Sequence, residues 1–164
     1  MSQILAILSA IALSISITGC SLAPIAKELP LAAGSPMAPS TEANLGKVVF
    51  LNENPKIYRN DSDLRNVHGL DRDLWKMAGT GRINIAVNGK GLGQVHVGEF
   101  LATLLPFGTY EITLVHQDMV NFESKHQLVV NTPHKLVAVF PTITSNTLEV
   151  VPASRGLGEY KEAK

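Results

Sequence analysis

Five histidines are the side chains of this 164-residue sequence best suited to proton transfer or metal binding: His68, His96, His116, His126 and His134. None belongs to an H-E-x-x-H motif, and none lies at metal-ligand spacing from a cysteine or a glutamate. The sequence also contains no G-x-S-x-G, S-x-x-K or P-loop motif that would position a nucleophile or a phosphate. We therefore predict a protein without catalytic residues, metal or cofactor.

One metal-binding alternative remains among these histidines. His116 and His126 fall on neighbouring predicted strands, where two imidazoles could meet at a sheet edge and hold a metal ion. The other interpretation of the same spacing is a partly buried polar pair.

The segment from Glu53 to Thr80 contains paired aspartates at a spacing that suggests carboxylate ligands. The pairs are Asp61/Asp63 and Asp71/Asp73. An EF-hand is excluded because Arg65 occupies a position that needs an oxygen ligand, and Arg72 occupies the position of the closing glutamate. We interpret the aspartates as solvated cap and turn residues, with Asp71 capping a short helix that runs to Ala78.

The same insertion carries residue types that often dominate the energetics of protein interfaces: Tyr58, Arg59, Arg65 and Trp75. Because the connection is longer than a sandwich requires, we predict that these residues bind a partner protein. Two alternatives concern Trp75. It could fold back with Leu74 as a lid on the core, or it could bind carbohydrate or peptidoglycan beside neighbouring carboxylates.

Period-2 alternation predicts the strands that must position these residues. Ile83 to Val87 alternates apolar with polar or small side chains, as a half-buried strand does. Asn88-Gly89 then predicts a tight hairpin turn. A second reversal at Pro106-Phe107-Gly108 leads into another alternating strand from Tyr110 to His116, so we predict a β-meander over Gly81 to Gln117.

The remaining strands complete an all-β fold. Gly46 to Asn52 and Leu136 to Phe140 are apolar on both faces, which predicts strands buried on both sides. Phe122 to Asn131 alternates, and Thr147 to Val151 closes the set. We predict one small β-sandwich, immunoglobulin-like or transthyretin-like, with seven or eight strands over residues 45–152, an insertion at 53–80 and a polar tail at 153–164.

An uncharged, largely apolar segment opens the chain and contains its only cysteine, Cys20. Ile4 to Ile17 is short for a membrane span and fits the apolar core of a signal peptide. Ile17-Thr18-Gly19-Cys20 resembles the lipobox of bacterial lipoproteins, in which the cysteine is acylated and becomes the new N-terminus. The resemblance implies a signal peptide at residues 1–19. The alternative is an uncleaved membrane anchor that continues towards Ile25.

The residues after the cysteine bear on location and partners. Ser21 resembles the residue that, under the sorting rule of enteric bacteria, directs a lipoprotein to the outer membrane. Residues 20–44 are rich in Ala, Pro and Ser, which predicts a flexible tether. The 14 basic and 14 acidic side chains give no net charge, which argues against a nucleic-acid partner.

A second resemblance covers Arg82 to Val130. This stretch is similar to the PEGA-type repeat and related bacterial lipoprotein domains of unknown function, which share a strand ending in V-N-G, later glycines, L-P-x-G and flanking aromatics. The matching residues are Val87, Asn88, Gly89, Gly93, Gly98, Phe100, Leu105, Pro106, Gly108, Tyr110 and Phe122. The resemblance implies a β-sandwich and no particular ligand, because every matched residue has a turn or core role.

The expected function combines these observations. We predict an envelope lipoprotein that is held on the bilayer by acylated Cys20, on the periplasmic face of the outer membrane, and that acts as a non-catalytic module binding an envelope protein. The alternative is a carbohydrate- or peptidoglycan-binding lipoprotein.

Overall fold

A computed structural model describes residues 22–53, 81–117, 120–142 and 145–164, and within them the chain forms two β-sheets around a shared core. The strands are β1 (Leu45–Asn52), β2 (Arg82–Val87), β3 (Lys90–His96), β4 (Glu99–Pro106), β5 (Gly108–Gln117), β6 (Asn121–Val130), β7 (His134–Pro141), β8 (Asn146–Val151) and β9 (Lys161–Glu162). A short 3₁₀ helix spans Ala153–Arg155. Sheet A has the order β8-β7-β1-β4-β9, and sheet B has the order β3-β2-β5-β6.

The predicted all-β sandwich is confirmed, with nine strands in the described residues instead of seven or eight. The additional strand, β9, comes from the segment expected to be a polar tail, and it pairs in parallel with the start of β4. The insertion helix predicted from Asp71 to Ala78 and the signal peptide lie outside the described residues.

β1 occupies the centre of sheet A, as its two apolar faces predict. It pairs antiparallel with β4 and parallel with β7. Val48 and Phe50 point into the core between the sheets, whereas Val49 and Leu51 belong to a second apolar cluster. Since residues 48–51 are fully buried, no face of this strand is left for solvent.

Sheet B shows the predicted alternation. Ile112 and Leu114 of β5 are fully buried in the core, while Thr113 between them is partly exposed. β6 follows the same rule, with Leu128 and Val130 buried and Val129 half exposed. One face of β5 and β6 therefore packs on sheet A, and the other faces outward.

The predicted β-meander is wrong at its third strand. β2 and β3 form a hairpin, but β4 then crosses to sheet A and pairs with β1, and β5 returns to pair with β2. β4 is almost continuously buried, so it suits a place inside the two-sided sheet A better than a place in sheet B. The Phe107 turn makes the return crossing, and the Tyr110 hydroxyl donates to Pro106 O at 2.7 Å beside it.

The turn at Asn88-Gly89 is the predicted hairpin turn. Both residues have positive φ, 48° and 76°, which matches the backbone twist of tightly joined antiparallel strands. Asn88 also accepts a hydrogen bond from the Glu111 amide through Oδ1 at 2.8 Å. The side chain thereby connects the hairpin to β5.

The N-terminal segment, residues 22–44, is packed against the sandwich and is not the flexible tether expected from its composition. Glu28 N and Leu29 N donate to Gly91 O, and Ala32 N donates to Ala102 O at 2.7 Å. Leu29 and Leu31 contact the inner core, and the chain then crosses the second cluster with Ala32 and Met37. Main-chain docking of this kind leaves no side-chain periodicity for a sequence to display.

Candidate functional site

Cys20, Tyr58, Arg59, Arg65 and Trp75, the residues to which the sequence assigns lipidation and partner binding, all lie outside the described residues. Two described regions adjoin them in the chain. One holds the two ends of the insertion, and the other holds the first residues after the cysteine. Their geometry determines where the candidate residues are attached.

The two ends of the insertion are joined by one buried side chain. Asn52, at the end of β1, donates through Nδ2 to Gly81 O and to Val95 O, each at 3.0 Å. Gly98 N donates to Asn52 O at 2.9 Å, and Val97 N donates to Gly81 O at 3.0 Å. The chain therefore leaves sheet A and enters sheet B at neighbouring points on a fixed base.

An ion pair completes this base. Arg155 in the 3₁₀ helix contacts the carboxylate of Glu53, and both side chains are largely buried. Burial lowers the pKa of Arg155, and its interaction with Tyr160 opposes that shift. A buried ion pair that loses one partner leaves an uncompensated charge, so the pair ties the C-terminal region to the start of the insertion.

Two amide side chains of sheet B hold the residues that follow the cysteine. Asn84 Nδ2 donates to Ala23 O at 2.8 Å, and Gln94 Nε2 donates to Leu22 O at 3.1 Å. Gln94 also donates to Asn84 Oδ1 at 2.9 Å, which fixes the orientation of both amides. Leu22 is itself buried, so the chain is already part of the folded domain at the first described residue.

A glycine allows this segment to approach closely. A Cβ on Gly91 would lie 2.0 Å from Ala26 O, which no side chain tolerates. In the sequence, Gly91 is one of several glycines in a hairpin. Its contact with the N-terminal segment could not be predicted from the sequence.

Both regions lie at one end of the sandwich, which we call the insertion end. The strand registers place Asn52, Arg82 and the β3–β4 turn at Val97 there, together with the β5–β6 turn at Val120. A shallow cleft of about 390 Å³ opens beside Leu22. Its other lining residues are Ala23, Ile25, Asn84, Val115, Gln117 and Asn121.

His116 lies in the core near this end. Its Nδ1 is 2.8 Å from Asn146 Oδ1, and its ring stacks on Phe122 with a centroid distance of 5.2 Å. Asn146 Nδ2 donates to Leu114 O and to Phe122 O. The group links the two sheets, since Asn146 begins β8 and His116 lies in β5.

The proposed meeting of His116 and His126 does not occur. His116 is opposite Phe122 and His126 is opposite Ile112, so the two imidazoles are four residues apart along the strand pair. His126 instead contacts the Ser124 hydroxyl at 3.0 Å. Within the described ranges, no three His, Cys, Asp or Glu side chains form a group that could hold a metal ion.

Comparison with family models, curated proteins and solved structures gives no match to this chain. In the part of the chain that the structure describes, no helix is long and apolar enough to cross a membrane. The described part of the chain contributes side-chain amides, a shallow cleft and a hydrogen-bonded base for the insertion at this end of the sandwich.

Proposed function

We propose that this chain is a bacterial envelope lipoprotein, anchored to a membrane through acylated Cys20, whose β-sandwich serves as a non-catalytic binding or assembly module. The observation that carries the proposal is the sequence Ile17-Thr18-Gly19-Cys20 after an uncharged apolar run. Support comes from Leu22, which is buried in the sandwich only two residues after the cysteine, so the folded module lies close along the chain to the proposed anchor. Acyl chains contribute about 0.8 kcal/mol per buried methylene, so several of them hold a protein on a bilayer.

Metabolic labelling tests the anchor. Cells that express the full chain are given radioactive palmitate, and we expect label in the protein and loss of that label in Cys20→Ser. Ser21→Ala is the matched control, since it changes the adjacent residue and keeps the thiol. Labelling that persists in Cys20→Ser would refute the lipoprotein assignment.

The destination of the protein depends on Ser21 by resemblance to the enteric sorting rule. We place the protein on the periplasmic face of the outer membrane. Ser21→Asp should move it to the inner-membrane fraction with its acylation intact. Equal distribution of both proteins between the fractions would remove the outer-membrane part of the proposal.

A protein partner is assigned to the insertion, through Tyr58, Arg59, Arg65 and Trp75. The support is the rigid base at Asn52, because a base that holds both ends of a long connection limits the entropy lost when the connection binds. Trp75→Ala should lose envelope proteins that crosslinking recovers with the native chain, at unchanged thermal stability, while Lys76→Ala keeps them. A lowered melting temperature with proportionate loss of partner would instead identify Trp75 as a lid on the core.

The second candidate function is binding of carbohydrate or peptidoglycan by Trp75 with Asp71 and Asp73. An aromatic ring beside carboxylates is the feature that favours it. Sedimentation with purified peptidoglycan distinguishes the two candidates. Binding that Trp75→Ala abolishes would favour the carbohydrate, and absence of binding would leave the protein partner.

A further inference from the structure

We infer that the insertion end of the sandwich, and in particular the surface around Leu22, Gln117, Val120 and Asn121, lies directly on the lipid headgroups of the membrane. This inference rests on the proposed acylation of Cys20 and adds to it the orientation of the domain. A flexible tether would set no orientation, whereas the docked N-terminal segment sets one.

The first step is a limit on reach. Leu22 is held by the Gln94 amide and Ala23 by the Asn84 amide, so the chain is docked on the domain two residues after the cysteine. Successive Cα atoms are about 3.8 Å apart, so the Cα of Cys20 lies within about 8 Å of the Cα of Leu22. An acylated Cys20 then brings the headgroup layer to the surface next to Leu22.

The second step is the direction of the chain. Ala26 O lies against Gly91, close to the Asn88-Gly89 turn of the β2–β3 hairpin. Leu22 lies beside Gln94, closer to the β3 end at His96. Traced backwards from Ala26 to Leu22, the segment therefore runs towards the insertion end.

Exposed apolar side chains do not decide the orientation by themselves. Val97 and Val120 are exposed at the insertion end, but Phe107, Val129 and Val150 are exposed towards the other end. The attachment point determines the orientation of the domain, because only the insertion end is within reach of acylated Cys20. The polar side chains of the cleft, including Gln117 and Asn121, carry no charge that would repel anionic headgroups.

Two valines at opposite ends of β6 provide a matched test. Val120 is 57% exposed in the turn before the strand, and Val129 is 50% exposed near its far end. The ten residues of β6 span about 34 Å, so the two sites differ strongly in height above an oriented bilayer. Cys20 is the only cysteine and is blocked when acylated, so Val120→Cys or Val129→Cys supplies a single free thiol in the full chain.

Each variant is labelled with a fluorophore and placed in phosphatidylethanolamine–phosphatidylglycerol vesicles that contain headgroup-nitroxide lipid. We expect the nitroxide to quench the Val120 probe several-fold more than the Val129 probe. Gly91→Ala, which displaces Ala26, should reduce that difference, whereas Gly108→Ala should leave it unchanged because a Cβ there makes only ordinary contacts.

Mass spectrometry of the same samples separates the two proposals. If Cys20 carries no acyl chain, the lipoprotein proposal fails and the orientation fails with it. If Cys20 is acylated but both probes are quenched equally, or Val129 is quenched more, the orientation is overturned and the lipoprotein proposal stands. A full difference that persists in Gly91→Ala would also overturn it, since the docked segment would then not set the orientation.

Discussion

The outer faces of the two sheets differ in what covers them. The outer face of sheet A is an apolar cluster with Val49, Leu51 and Leu136 fully or almost fully buried. Residues from both ends of the described chain pack on it, namely Ala32 and Met37 from the N-terminal segment and Leu157 and Tyr160 from the C-terminal region. The outer face of β5 and β6 in sheet B is polar and largely exposed.

This contrast teaches that a strand with two apolar faces implies a third layer. The outer apolar face of β1, with Val49 and Leu51, would be an exposed hydrophobic patch if the two sheets had no further cover. The N-terminal segment and the C-terminal region supply that layer without an α-helix or a long strand in the described residues. The apolar pattern of β1 thus predicts that its outer face is buried, but it does not predict which segments of the chain cover that face.

The largest effect should come from the layer that both sheets share. Phe50→Ala removes a fully buried ring and should lower the free energy of unfolding by about 3–5 kcal/mol, and Ile112→Ala or Leu114→Ala by about 2–5 kcal/mol. Urea denaturation followed by circular dichroism measures this change. Val129→Ala on the open face is the control and should stay within about 0.5 kcal/mol. An unchanged free energy of unfolding in both Ile112→Ala and Leu114→Ala would show that the assigned register is wrong.

The next effect tests whether the outer face of sheet A is truly a core. Leu51→Ala should cost about 2–5 kcal/mol, as for a buried leucine, although the residue points away from sheet B. Gln127→Ala, on the outer face of sheet B, should cost no more than about 0.5 kcal/mol. Similar small losses of unfolding free energy in Leu51→Ala and Gln127→Ala would show that the outer face of sheet A is not a core.

A smaller effect should follow from disturbing the cover itself. Gly91→Ala drives a methyl group into Ala26 O, and overpacking of this kind costs about 1–3 kcal/mol. Amide exchange at Glu28, Leu29 and Ala32 should also accelerate, because their hydrogen bonds depend on the docked segment. Gly108→Ala serves as the control. Protected amides in Gly91→Ala would mean that the segment does not need this glycine.

The smallest effect belongs to the open face of sheet B. Lys125 Nζ donates to Glu111 Oε1 at 3.0 Å, and this hydrogen bond, with the attraction of the same carboxylate, raises the pKa of Lys125. A raised pKa means that the pair stabilises the fold below the ordinary lysine pKa and that this contribution disappears as pH rises through the folded value. Glu111→Gln should lower the pKa measured by NMR, and Glu123→Gln should lower it less. An unchanged value in Glu111→Gln would exclude the pair in solution.

Burial and alternation could be predicted from the sequence because they are local. Apolar residues on both faces predict β1 and β7 as buried strands. The spacing of Ile112 and Leu114, two positions apart, predicts β5 as a strand with one buried face. Asn88-Gly89 predicts its turn because few residue pairs accept two positive φ angles. Each of these signals depends on neighbours in the chain.

Pairing between distant segments could not be predicted in the same way. The residues of Glu99–Pro106 do not predict that β4 pairs with β1 and not with β3. That pairing depends on which strand edge is still unpaired after the other strands have packed. The N-terminal segment and β9 dock largely through their own main-chain N–H and C=O groups, which almost every residue type supplies. For this reason the roles of Asn52, Asn84, Gln94 and Gly91 could not be predicted from the sequence.

The closure of the insertion by Asn52 gives the domain tolerance to change in chain length. Because Asn52 Nδ2 and Gly81 O are 3.0 Å apart, residues 54–80 form an excursion whose ends are already together. Each doubling of the loop length adds only about 0.6 kcal/mol of closure entropy, so the stability of the sandwich should depend little on the length of this loop. A short turn or a foreign loop in place of residues 54–80 should therefore leave the packing of the sandwich beneath unchanged.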